Sequence, residues 1–343
     1  MEYYRLVFLG FGNVGQALAR LLLRKQSEIK QQYDITYSFA AIATRSHGRA
    51  YHPDGLDIDQ VLDSMLSGKS LDLLSTSPAP TDNVEFIQQS RGDVLFENTP
   101  VNYQNGQPAI EHIQAALQCD MHAFTANKGA VVHGFQQLDT LAKSVNKKFY
   151  FESIVMDGAP IFNVFRNLPA ANVCSIRGIL NSTTNLILTR MEQGEGFEQA
   201  VDHAQQIGIA ETDPNGDIQG WDAAIKLASL ITVIMGVPLK PQQVEREGIT
   251  EMILSGDFTA AQAAGKRWKQ ICTATRDGNS VKAKVAPELI EPSHLFYNTE
   301  GTSSIVQFES DVLGPLTVME SNPTPDCTAY GLLADFLNAV KGE

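Results

Sequence analysis

Two stretches of this chain carry residues whose types and spacing could do chemistry. The first is Gly10-Phe11-Gly12-Asn13-Val14-Gly15, a G-x-G-x-x-G set between an apolar run at 5–9 and a stretch with helical spacing. In a strand–turn–helix, Gly10 would permit the tight turn, Gly12 would let a pyrophosphate approach the backbone, and Gly15 would let the helix pack on the strand. The pyrophosphate would then rest at the positive helix N-terminus. A structural glycine-rich turn would use the same residues. Folds selective for NAD usually end the second strand in Asp or Glu, which binds the ribose hydroxyls. Here that strand ends in Ala43-Thr44-Arg45-Ser46, without an acid. Arg45 could face a 2′-phosphate, so NADP is expected to serve at least as well as NAD; a solvated loop arginine is the alternative.

The second stretch, residues 211–226, reads ETDPNGDIQGWDAAIK. It places the carboxylates Glu211, Asp213, Asp217 and Asp222 and the lysine Lys226 in one turn-rich loop and the start of a helix. Asp222 and Lys226 fall on the same helical face. The plain reading is an exposed ion pair beside an acidic loop. Against it, the helix continues LASLITVIMG, apolar on almost every side, and an acidic cluster suits a substrate with an ammonium group.

The elements that must position these residues are those of a two-domain α/β protein. The 343 residues are enough for two domains, and a net charge of −13 argues against nucleic acid or an anionic membrane as partner. The N-terminus enters a strand at once and no apolar run is long enough to span a bilayer, so a cytoplasmic protein is expected. Cys119, Cys174, Cys272 and Cys327 form no C-x-x-C pair and read as free thiols. Strands are predicted at 5–9, 35–43, 93–97, 121–125 and 148–154, with helices from Val14 and at 58–66, 108–118 and 133–146 and a loop at 75–83. Alternation of this kind implies a Rossmann-type, doubly wound parallel sheet over 1–150. After about residue 155 the rhythm becomes α+β: helices at 183–193, 197–207, 221–236 and 258–264, strand-like pieces at 174–180, 269–275 and 280–286. A strand at 303–309 and a helix at 328–340 resume the first pattern, so 303–343 is expected to complete the dinucleotide domain, leaving 151–302 as the second.

With these residues in view the chain resembles the homoserine dehydrogenase family, in its short form without a regulatory ACT domain. The likeness is carried, in the family's order, by Phe96-Glu97-Asn98-Thr99-Pro100, Thr125-Ala126-Asn127-Lys128, Tyr150-Phe151-Glu152, Leu180-Asn181-Ser182-Thr183-Thr184-Asn185, the 211–226 segment and Gly301-Thr302-Ser303-Ser304. The resemblance implies interconversion of L-homoserine and L-aspartate 4-semialdehyde with NAD(P), within threonine and methionine biosynthesis. It implies Lys128 and Lys226 as catalytic lysines, with Asp222 orienting or relaying a proton. Glu211 and Asp217 would hold the substrate's amine or hydroxyl, and Thr183 would contact it. Asn98, Thr99 and Lys128 would lie beside the cofactor. A homodimer built through the second domain is also implied, as is a monovalent cation such as Na+ at Glu152, Val155, Asp157 and Ala159.

Two segments depart from the family pattern: Ser153-Ile154-Val155-Met156-Asp157-Gly158-Ala159 replaces a glycine-rich stretch, and Glu320-Ser321-Asn322-Pro323-Thr324-Pro325-Asp326 replaces another near the C-terminus. These departures keep two other readings open. One is a different NAD(P)-dependent amino-acid or semialdehyde dehydrogenase; the other is a non-catalytic NAD(P) sensor.

Overall fold

A computed structural model describes residues 1–250 and 257–341, and the chain divides into two compact units, Met1–Pro160 with the chain from Thr324 onward, and Ile161–Pro323. The first unit is built on a six-stranded sheet of order β3-β2-β1-β4-β5-β6: β1 Glu2–Leu9, β2 Ile35–Ala43, β3 Arg49–Tyr51, β4 Val94–Glu97, β5 His122–Thr125 and β6 Phe149–Tyr150. All pairings are parallel except β2 with β3. Leu6, Val7, Phe8 and Leu9 are fully buried because helices cover both faces, which is why β1 reads as a continuous apolar run.

One face of this sheet carries α1 (Asn13–Tyr33) and the C-terminal helix, Pro325–Val340. Phe336 from that last helix stacks edge-on or tilted against Tyr4, Tyr37, Phe96 and Phe124, with centroids 5.5 to 6.4 Å apart. The opposite face packs Val7, Leu9 and Leu95 against Phe86 and Ile87 of a helix at Asn83–Ser90 and Ala115 and Ala116 of one at Ala109–Gln118. The order of the sheet reverses between β1 and β4, the switch point at which open α/β sheets bind ligands beyond the strands' carboxyl ends.

Several expected boundaries move, each for a local reason. Asp82 accepts from the backbone N–H of Glu85 (2.9 Å) and so starts a helix where the Ser/Thr/Pro-rich loop was expected to fade out. The helix expected from 133 begins at Lys128, because the Asn127 side chain accepts from the N–H of Gly129 (3.0 Å). The strand expected over 148–154 is only Phe149–Tyr150, followed by a 3-10 turn at Glu152–Ile154.

The second unit has its own six-stranded sheet, β12-β11-β7-β9-β10-β8: β7 Val173–Ile179, β8 Glu245–Arg246, β9 Arg267–Asp277, β10 Ser280–Ile290, β11 Ser304–Ser310 and β12 Leu316–Glu320. Its pairings are antiparallel apart from β10 with β8. Helices at Ser182–Glu192 and Trp221–Ile234 pack on it. The strand expected at 303–309 therefore does not return to the dinucleotide sheet. It is β11, hydrogen-bonded to β7 and, through a short turn, to the half-exposed β12, which its polar alternation hid. A connection that short joins antiparallel neighbours, and β11 lies antiparallel to both β12 and β7. Only the helix at Pro325–Val340 goes back. Among the described residues no helix is long and apolar enough to cross a membrane.

Candidate active site

In the first unit the glycine motif falls where β1 turns into α1. Gly10 has φ +84°, and a Cβ there would stand 2.3 Å from the carbonyl oxygen of Asn98. At Gly15 a Cβ would meet the carbonyl of Gly10 at 2.8 Å, whereas one at Gly12 would find nothing within 4 Å. Two glycines thus permit close packing and the third leaves an open face, as a pyrophosphate cradle requires. Gly12 caps α1 without a side-chain hydrogen bond, and the first turn holds no acid. The helix N-terminus is therefore available to an anion. Asn13 is exposed and Val14 half-buried; Phe11 points into the core against Phe8, so only its backbone could serve a ligand.

A cavity of about 510 Å³ opens beside this turn, lined by Gly10, Thr44, Arg45, Arg49, Thr99 and His112, among others. Its walls fit a dinucleotide: glycine backbone at one side, the C-terminal ends of β2 and β4 at the other. Arg45 is exposed at the mouth. Arg49, which the sequence did not single out, donates to the carbonyl of Pro80 (3.0 Å) and lies 5.8 Å over the Phe86 ring. Asn98 backs onto Gly10, and among the described residues neither polar atom of its buried carboxamide has a hydrogen-bond partner. Asn127 ties this wall to Lys128: its Nδ2 donates to the carbonyl of Thr99 (3.0 Å) while its Oδ1 caps the helix that Lys128 begins.

The expected cation segment lies in the same unit and is tied to the C-terminal helix. The backbone N–H of Glu152 donates to Asp335 (2.7 Å), Ser153 Oγ to the carbonyl of Thr328 (2.7 Å), and Thr328 Oγ1 to Asp157 Oδ1 (2.7 Å). Ala159 closes a turn onto the carbonyl of Met156 (2.8 Å). Val155 is buried and follows that 3-10 turn. Among the described residues no group of three or more His, Cys, Asp or Glu could hold a metal ion.

In the second unit the decisive residue is Asn181, which follows β7 and caps the helix at Ser182–Glu192. Its Oδ1 accepts from the N–H and hydroxyl of Thr184, both at 2.8 Å. Its Nδ2 donates to Asp217 Oδ1 (2.6 Å) and Asp222 Oδ2 (3.0 Å), drawing together carboxylates from two different helices. Lys226 completes the cluster, 3.3 Å from Asp222 Oδ2 and donating to the carbonyl of Leu180 (2.8 Å). The Asp222–Lys226 pair is not an exposed ion pair: the side chains are only 12 and 14% accessible. Burial, and next the Asp222 charge, push the Asp217 carboxyl up from its ordinary value, against the hydrogen bonds from Asn181 and Thr183 and the charge of Lys226. Beneath the helix Cys272 is fully buried, and desolvation lifts its thiol to about 12, so it adds no charge. Thr183 donates to the carbonyl of Ile209 (3.4 Å). Glu211 stands apart: it is exposed, and its backbone carbonyl accepts from Gln205 (3.0 Å).

A cradle for a dinucleotide in one unit, and a buried lysine–carboxylate cluster in the other, define a nicotinamide-dependent oxidoreductase. Comparison with known proteins gives the family. The description "Homoserine dehydrogenase" matches residues 160–337, and "Homoserine dehydrogenase, NAD binding domain" matches 10–152. The chain is 31% identical over 340 residues to an "NAD(+)-dependent homoserine dehydrogenase" of Pseudomonas canavaninivorans, covering 98% of this chain and 96% of that one. It is 33% identical over 336 residues to a homoserine dehydrogenase of Methanocaldococcus jannaschii, covering 97% of each. A crystal structure of a putative homoserine dehydrogenase from Archaeoglobus fulgidus superimposes with a TM-score of 0.85 at 28% identity, covering 98% of this chain and 99% of that one. The chain belongs to the homoserine dehydrogenase family, NAD(P)-dependent oxidoreductases acting on a CH–OH group.

Proposed function

We propose that the protein interconverts L-homoserine and L-aspartate 4-semialdehyde, as a step toward threonine and methionine in the cytoplasm, and that it accepts NADP at least as well as NAD. The observation that carries the reading is the convergence of Asp217, Asp222 and Lys226 on Asn181 at the start of a buried helix. The dinucleotide, when bound, gives or takes the hydride. Gly10, Gly12, Gly15 and the α1 N-terminus would hold its pyrophosphate, with Phe11, Asn13 and Val14 contributing backbone. Arg45 would face the 2′-phosphate, and Asn98, Thr99 and Lys128 the nicotinamide end.

Reduction of the aldehyde leaves negative charge on its oxygen, which needs both a positive group and a proton. Lys226 can provide both, held by Asp222 and by the Leu180 carbonyl; the family likeness makes Lys128 the second catalytic lysine. Asp217, with Thr183 and Glu211, would bind the substrate's ammonium and backbone atoms. In the oxidation direction the hydroxyl proton would return to the same lysine–aspartate pair. We further assign a monovalent cation to the backbone around Glu152, Val155, Asp157 and Ala159, and a homodimer through the second unit, to be checked by Na+ titration and by light scattering. The test of the reaction is steady-state oxidation of homoserine at alkaline pH with each cofactor. Saturable NADP reduction supports it; no turnover with homoserine, alongside tight dinucleotide binding, would overturn it and leave a dehydrogenase of another substrate or a sensor.

A further inference from the structure

The wall of the cofactor cavity holds one buried acid that the proposed reaction does not use. Glu97 is the last residue of β4 and has no exposed surface. Its Oε1 accepts from the N–H of Thr99 (3.3 Å), from the Thr99 hydroxyl, and from His112 Nδ1 (3.3 Å), while the Thr125 hydroxyl, 3.2 Å from Oε2, donates to the Glu97 backbone carbonyl (2.7 Å). On the far side of the ring, His112 Nε2 accepts from Asn83 Nδ2 (2.8 Å), which leaves the ring proton on Nδ1, facing Glu97. The Thr99 N–H and the His112 ring N–H can only donate, so Oε1 meets two fixed donors, and none of the partners is a lysine or arginine that would cancel a negative charge. Thr99, His112 and Asn83 all line the cavity, so the Glu97 carboxyl sits one side chain behind its surface.

We propose that Glu97 is held as a carboxylate and is a positioning residue: it fixes the Thr99 wall and biases the site toward the oxidised, cationic form of the dinucleotide. The physical reason is simple. The oxidised nicotinamide ring carries a positive charge and the reduced ring none, so a fixed negative charge in a low-dielectric wall favours only the former. A site that holds the oxidised form more tightly makes the bound reduced form a stronger hydride donor, which favours aldehyde reduction. The inference rests on the reading that places the nicotinamide end at Thr99.

Calorimetric titration of NADP+ and NADPH, and of NAD+ and NADH, into wild type, Glu97→Gln and Glu97→Asp tests it. Glu97→Gln keeps the shape and removes the charge; the ratio Kd(oxidised)/Kd(reduced) is expected to rise roughly tenfold, through weaker binding of the oxidised form. Glu97→Asp keeps the charge and disturbs the geometry, so both affinities fall while the ratio stays within about threefold of wild type. Equal weakening of both forms in Glu97→Gln would leave Glu97 a structural acid and overturn the proposal. Should neither variant fold by circular dichroism, the wild type decides alone: binding the oxidised form at least as tightly as the reduced supports the proposal, and any preference for the reduced form overturns it. Wild type that binds neither form would sink the dinucleotide reading itself; wild type that binds both, with an unchanged ratio in Glu97→Gln, sinks only this inference.

Discussion

The two units make their sites from opposite materials. In the first, the cradle is built from what is missing: no Cβ at Gly10, Gly12 or Gly15, no side-chain cap on α1, and no acid at the end of β2. In the second, the site is built from what is present and buried, with two carboxylates, an asparagine and a lysine sharing three short contacts. A backbone cradle is sensitive to added bulk and indifferent to most side-chain chemistry. A buried polar cluster is sensitive to the loss of any one partner, because the remaining charges lose their compensation. The two should therefore fail in different ways, one by losing affinity and the other by losing turnover.

The largest separation is expected from Gly12→Val set against Lys226→Ala. Nothing stands within 4 Å of a Cβ at Gly12, so the variant should fold normally and yet lose saturable dinucleotide binding in fluorescence titrations. Wild-type affinity would show that no phosphate passes that face. Lys226→Ala should do the reverse: NADPH affinity unchanged, and kcat with homoserine down by roughly 100-fold or more. A kcat within threefold of wild type would reduce the lysine to an ion-pair partner.

A smaller effect is expected at the mouth of the cavity. Arg45→Ala should weaken NADP by about tenfold and leave NAD nearly unchanged, as loss of one exposed charge-assisted phosphate contact would. Equal effects on both cofactors, or none, would move the 2′-phosphate away from the end of β2.

The smallest effect sharpens the description of the second site. Burial holds the Asp217 carboxyl above its usual 3.8 in the folded chain. The native state therefore binds the proton more tightly than the unfolded state, and this residue's contribution to stability falls as pH rises through the window above 3.8. Asp217→Asn should accordingly melt higher than wild type near neutral pH, with the gap closing as the pH is lowered through that window. A gap that grows on acidification would mean the carboxyl is held down by Lys226 rather than up by burial.

Much of the first unit was legible in the chain. Strand-length apolar runs alternate with helical spacing, and the glycine motif needs only its immediate neighbours to define its turn. The Asp222–Lys226 pair was legible for the same local reason, since one helical turn brings those two side chains together. Asn181 and Glu97 were visible only as members of a motif, because their partners lie 36 and 41 residues away in one case and 15 and 28 in the other. Arg49 and His112 carried no signal beyond their residue types.

Sequence by itself determined the parallel sheet, the dinucleotide turn and the existence of a second α+β unit, all of which follow from contacts a few residues long and from periodic burial. Only the tertiary structure decided the destination of the C-terminal stretch. Residues 304–320 pair as a hairpin with β7 in the second unit, while Phe336 carries the last helix back among the aromatic rings of the first. Strand pairing and ring packing are choices between distant partners of similar hydrophobicity. What settles them is which edge is left open and which cavity the side chain fills, and neither exists until the rest of the chain has folded.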